Sequence, residues 1–132
     1  MARDTHILMG GVPEGFDATR VLAELARGTP VIHIARDDKR LAAMATALRL
    51  FDPSVPVLQF PGWDCLPYDR VSPNADISAA RMATLAALVA GLSGPFILLT
   101  TLNAATQYIP PQDLLRGSSF LAEVGKRIDE DA

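Results

Sequence analysis

A parallel β-sheet flanked by helices, an α/β fold, follows from two features of the chain. Short runs rich in β-branched residues, such as "PVIHIA" and "GPFILLTT", are apolar throughout and do not alternate. Strands covered on both faces read this way. Between these runs lie segments whose apolar residues recur at helical spacing, and the alternation of the two patterns is the signature of βα units. The chain has 132 residues, 49% of them hydrophobic and 20% charged. A domain near this size hides roughly two-thirds of its unfolded surface, enough for a real core. The net charge of −3 argues against both a disordered polar chain and a strongly basic nucleic-acid module.

The first unit opens with "HILMG", residues 6–10, read as a short strand. After it, Asp17 or Thr19 caps a helix that runs to about Arg27, with Val21, Leu22, Leu25 and Ala26 on one face and Gly28 closing it. The second strand is expected at Pro30 to Ala35. A helix opened by Asp37 or Asp38 follows, its Leu41, Met44, Ala45 and Leu48 at helical spacing. "VPVLQF", Val55 to Phe60, is the third strand. The connection after it is long, and Pro61, Pro67 and Pro73 forbid a regular element there. From about Ile77 an Ala-rich helix extends to Gly91. "GPFILLTT" is the fourth strand and the most buried by composition; "LNAATQY" forms one or two helical turns stopped by Pro110 and Pro111. "SFLAEV", residues 119–124, is a weak strand. The closing "DEDA" resembles the acidic first turn of a helix, which suggests a piece of a longer protein.

Cys65 is the sole cysteine, so neither an internal disulfide nor a cysteine-based metal site is possible and a reduced, cytoplasmic setting is expected. The apolar stretch Met82 to Leu92 is too short to span a bilayer, and "MARDTH" lacks the order of a secretory signal; no membrane association is expected.

The chemistry centres on "GGVPEGFD". Gly10 and Gly15 stand where the glycines of G-x-x-x-x-G-K-[ST] would stand, after a strand and before a helix. A working phosphate loop needs backbone N–H groups, a lysine and a hydroxyl that holds Mg²⁺. Phe16 occupies the lysine position and Asp17 the hydroxyl position, Glu14 adds a second carboxylate, and Pro13 removes a donor. The nearest cations in sequence, Arg20 and Arg27, lie beyond the loop. A P-loop NTPase-like architecture with a degenerate loop is therefore expected, with no nucleotide bound, no other cofactor, no metal and no catalytic residue. On this reading the glycines serve the turn, Asp17 caps the helix and Phe16 packs beneath it. The alternative is a small nucleotide-binding enzyme with an atypical loop.

Other candidates are weaker. His6 and His33 have no second ligand at metal-site spacing, and His33 reads as a core or sheet-edge residue. Cys65 lacks a nearby base. Thr100 and Thr101 end a central strand, where ligands bind in open sheets, but capping of the next helix explains them better. Asp64, Asp69 and Asp76 share a loop without a paired acid–base pattern. That loop, "FPGWDCLPYDRVSP", is the most distinctive segment. Trp63, Leu66 and Tyr68 either pin it to the sheet, the favoured reading, or present a surface to a partner or to nucleic acid.

At this loop the chain resembles the N-terminal region of the bacterial transcription-repair coupling factors, the Mfd family. The tract runs Trp63, Asp64, Cys65, Leu66, Pro67, Tyr68, Asp69, then Ser72-Pro73, Asp76-Ile77 and Arg81. The likeness covers nearly the whole chain. It implies a fold similar to the first domain of the UvrB helicase, a UvrB-like, RecA-like α/β subdomain over residues 1–115, and the truncated start of a small inserted domain over 116–132. It also implies a parent that is an ATP-driven translocase on duplex DNA, displaces stalled RNA polymerase and recruits UvrA, mainly through the downstream domain. The partners of this piece would then be UvrA and the other domains of the parent, and the motor would lie outside it.

Overall fold

The computed structural model describes residues 6–65, 70 and 72–118. Its helices and strands follow in the order α1 (Phe16–Leu25), β1 (Val31–Ala35), α2 (Asp38–Phe51), β2 (Val57–Phe60), α3 (Ala75–Ala90), β3 (Ile97–Thr101), α4 (Leu102–Ala105) and α5 (Gln112–Ser118). The three strands form one parallel sheet in the order β1-β3-β2. "ILLTT" is thus the central strand, and its side chains are the most buried of the three.

Strand alternation sends side chains to two separate cores. On one face α1 and α2 pack over β1 and β3, where Leu41, Met44, Leu48, Ile97 and Leu99 are buried. On the other, Phe60 and Leu98 meet Leu85 of α3, Ala104 of α4 and Leu115 of α5. The helices therefore flank the sheet on both sides, but Ile32 and Ile34 leave one face of β1 exposed among the described residues, where continuous hydrophobicity predicts cover on both faces.

Local signals account for most helix boundaries. Asp37 caps α2 by accepting the Arg40 N–H at 2.8 Å, and Asn74 caps α3 by accepting the Asp76 N–H at 2.8 Å. Gly91, at φ 82°, ends α3 in a conformation that L side chains avoid. Thr101 caps α4 through the Ala104 N–H at 3.2 Å, while Thr100 donates to the Phe60 carbonyl at 3.0 Å and ties β3 to β2.

Several expectations are corrected. Residues 6–10 are in no strand, and Ile7, Leu8 and Met9 are exposed. Apolar character says that a segment is suited to burial, but a strand also needs a neighbour for its ladder. Helix α1 is capped by Gly15 at φ 88° with no side-chain cap, so neither Asp17 nor Thr19 caps it. Phe16 is 56% exposed and does not pack beneath the helix. Helix α5 follows Pro111 directly, with the Leu115 N–H donating to the Pro111 carbonyl at 3.3 Å; seven residues are too few for periodicity to announce it. The segments 119–124 and 129–132, read as a strand and a helix start, lie outside the described residues.

Candidate functional site

Two sites are built on named arginines. The first joins the glycine loop to the start of α2. Because β1 is followed by α2 and the loop is followed by α1, both helix N-termini gather near the carboxyl end of β1. Arg40, in the first turn of α2, reaches across to the loop. Its Nη1 donates to Glu14 Oε1 at 2.6 Å and its Nη2 to Asp17 Oδ2 at 3.0 Å. One guanidinium thus holds two carboxylates in its planar fork.

The backbone donors at the end of the loop are also engaged. The Phe16 N–H donates to the Pro13 carbonyl at 3.1 Å, and the Ala18 N–H donates to the Gly15 carbonyl at 3.2 Å and to Asp17 Oδ1 at 3.1 Å. A phosphate cradle depends on such donors pointing outward at its ligand. Beside the clamp lies an open groove of about 540 Å³, lined by Glu14, Asp17, His33, Arg36, Lys39 and Arg40 among others. His33 is half-buried here, and burial lowers its pKa from the usual 6.5; the Asp17 carboxylate opposes the shift and the Arg40 charge adds to it. Arg36 pairs with Asp37 at 2.9 Å, and the Arg40 backbone N–H and Arg36 together lower the Asp37 pKa.

Arg40 stands 26 residues from Glu14 and 23 from Asp17, so sequence proximity does not mark it as the cation of the loop. In an α/β fold with helix starts gathered at one end of the sheet, a basic residue in the first turn of the next helix is a spatial neighbour of the loop, and here α1 and α2 start side by side although no strand precedes α1. That pattern is the signal that could have found it.

The second site centres on Arg81 of α3, which is 2% exposed. Its Nη1 donates to the Pro61 carbonyl at 2.6 Å and to Gln107 Oε1 at 3.0 Å. The guanidinium carbon lies 4.1 Å from the centroid of the Phe60 ring and 4.4 Å from that of Trp63. Burial lowers the pKa of Arg81. Gln107 Oε1 also accepts the Trp63 N–H at 3.2 Å, so three segments meet at one side chain. The packing is close: a Cβ on Gly62 would come within 3.2 Å of Asn103 Nδ2. Asp64 accepts the Asn74 N–H at 3.2 Å, linking the two ends of the proline-rich connection.

Of the predicted site residues, the structure brings Asp17 to Glu14 and Arg40, and Trp63 to Arg81. Gly10 lies in the loop without a close neighbour, and Phe16 faces solvent. Leu66, Pro67, Tyr68 and Asp69 lie outside the described residues. Phe60 and Gln107 lie outside the Trp63 to Arg81 tract, so its pattern does not mark them as members of the site. Among the described residues no buried side-chain nitrogen or oxygen lacks a hydrogen-bond partner, and no group of three or more His, Cys, Asp or Glu residues could hold a metal ion. No described helix is long and apolar enough to cross a membrane.

The chain is 32% identical over 125 residues to the transcription-repair-coupling factor of Escherichia coli strain K12, an alignment that takes in 89% of this chain and 10% of the relative. It is 31% identical over 120 residues to the protein of the same name from Myxococcus xanthus, covering 85% of this chain and 10% of that one. The chain belongs to the transcription-repair-coupling factors. A third coupling factor, from Haemophilus influenzae, is 27% identical over 123 residues, 93% of this chain and 11% of its own length. The chain spans about a tenth of the length of the curated relatives it matches. No family model and no solved structure matches it.

Proposed function

We propose that this chain is the first α/β subdomain of a longer coupling factor, residues 1–115, with residues 116–132 leading into a small inserted domain. Its role is that of a catalytically inactive scaffold, RecA-like in architecture and without a bound cofactor. The parent is an ATP-dependent translocase on duplex DNA in the bacterial cytoplasm. It displaces stalled RNA polymerase and recruits UvrA mainly through the domain that follows. The contacts of Trp63 and Arg81 hold the subdomain together and support the surface that its neighbours in the parent use.

The observation that carries the inactive role is the clamp at the glycine loop. Arg40 is engaged by Glu14 and Asp17, and the Phe16 and Ala18 N–H groups are turned to acceptors within the loop. A polyphosphate would have to break both ion pairs and then lie against two carboxylates. Like charges at that distance repel strongly once water is displaced. Calorimetric titration of the chain with ATP and Mg²⁺ should give no saturable heat at millimolar nucleotide. Micromolar, Mg²⁺-dependent binding would replace this reading with that of a small nucleotide-binding enzyme using an atypical loop.

A further inference from the structure

The two faces of the sheet are covered unequally. Helices α1 and α2 lie over β1 and β3 on one side. On the other side α3 lies over β2, α5 packs on α3, and the four-residue α4 reaches only one end of β1 and β3. Among the described residues no helix lies over the β1 half of this face. Ile32 and Ile34 point out of it at 64% and 54% exposure, level with Leu98 and Thr100 of the central strand. A groove of about 360 Å³ runs along them, bounded by Leu88 of α3 and by Ala105 and Ile109 beyond β3.

The chemistry of this groove restricts what fits it. None of its lining residues carries a formal charge, and Thr100 and Gln107 supply its polar groups. Phosphates, nucleic acid and acidic peptides find no counter-charge there, whereas an aliphatic surface gains by burial. The dimensions point further. Strands lie about 4.8 Å apart and a helix is about 10 Å across, so one helix covers two strands. With α3 on the β2 side, the uncovered half has the width of a single helix. Parallel strands are covered on both faces, and β1 has the continuous apolar sequence of such a strand.

We propose that this groove receives an amphipathic α-helix of the same polypeptide, from the roughly nine-tenths of coupling-factor length that lies outside this chain. The inference rests on the reading of the chain as part of a longer coupling factor. The helix presents an aliphatic stripe at helical spacing to Ile32, Ile34 and Ile109. Burial of these side chains then joins the subdomain to the rest of the parent.

The test uses Ile34→Cys in a Cys65→Ser background, made both in this chain and in the full-length parent with its other cysteines replaced. The rate of modification by a maleimide is read in each. The thiol introduced at position 34 should react quickly in the chain alone and about tenfold or more slowly in the native parent, with the rate restored by denaturant, because thiol modification follows access. Ile32→Cys gives a second readout should the first variant fold poorly. Equal rates in chain and parent would overturn the proposal. So would concentration-dependent protection in the isolated chain accompanied by a dimer in sedimentation, which would assign the groove to a second copy. Displacement of stalled RNA polymerase by the unmodified parent separates the two readings: an active parent with a freely reactive thiol sinks the groove alone. An inactive parent with a protected thiol sinks the coupling role alone.

Discussion

Arg40 and Arg81 place the same side chain in two opposite settings. Arg40 meets two carboxylates, at 2.6 and 3.0 Å, with about a third of its side chain in solvent. Arg81 is 2% exposed and meets a carbonyl, a side-chain amide and two ring faces. Counting formal charges would rank the Arg40 cluster first. Physical setting reverses the order. Water competes for every group in the exposed clamp, and such pairs contribute about 0.2 to 1 kcal/mol each. Arg81 is shielded from solvent, so its partners within the protein carry the load. Charge-assisted hydrogen bonds contribute about 1.5 to 3 kcal/mol, a desolvated cation over a ring up to about 2 kcal/mol, and removal of the cation strands the acceptors it served.

The sharpest way to break this contrast is Arg81→Ala. It should cost about 3 to 4 kcal/mol in urea unfolding, because the Pro61 carbonyl and Gln107 lose their donor and two rings lose the plane between them. Trp63→Ala should cost about 2 to 3 kcal/mol, below a fully buried tryptophan since the ring is half-buried, and the double variant should show coupling of about 1 kcal/mol. A cost under 1 kcal/mol for Arg81→Ala would mean that the sandwich holds nothing together. Arg40→Ala should cost less than about 1 kcal/mol, and molar salt should shrink the difference further. A salt-insensitive loss would place the clamp in a desolvated setting like that of Arg81.

The smallest effect concerns His33, whose pKa is lowered chiefly by burial. The native state therefore binds the proton less readily than the unfolded chain. Its contribution to stability is complete above the unfolded value of 6.5 and declines as pH falls through 6.5 toward the lower native value. His33→Gln should flatten the stability profile in that window. An unchanged slope would assign the acid sensitivity to other groups.

Much of the fold is legible in residue order. The central strand declares itself in "FILLTT", which has no charge to place, and α2 in its Asp37 cap and apolar spacing. Where expectation and structure part, the missing information is a neighbour. "HILMG" has the composition of a strand, yet the described residues give it no ladder partner. Asp17 has the chemistry of a cap, but Gly15 takes that position and Asp17 turns to Arg40. At the candidate site the sequence shows the anionic character of the loop and the Trp63 to Arg81 tract. It does not show that Arg40 answers the one or that Phe60 and Gln107 complete the other.

Residue order alone decided the α/β class, the burial of "ILLTT" and the absence of a lysine at the glycine loop, because propensity, periodicity and side-chain chemistry are local properties. Tertiary structure alone decided the pairings. Arg40 stands 26 residues from Glu14, and Arg81 stands 20 from Pro61 and 26 from Gln107. Only the gathering of the α1 and α2 N-termini brings Arg40 to the loop, and only side-chain packing within the second core sets a buried guanidinium against the Phe60 and Trp63 rings.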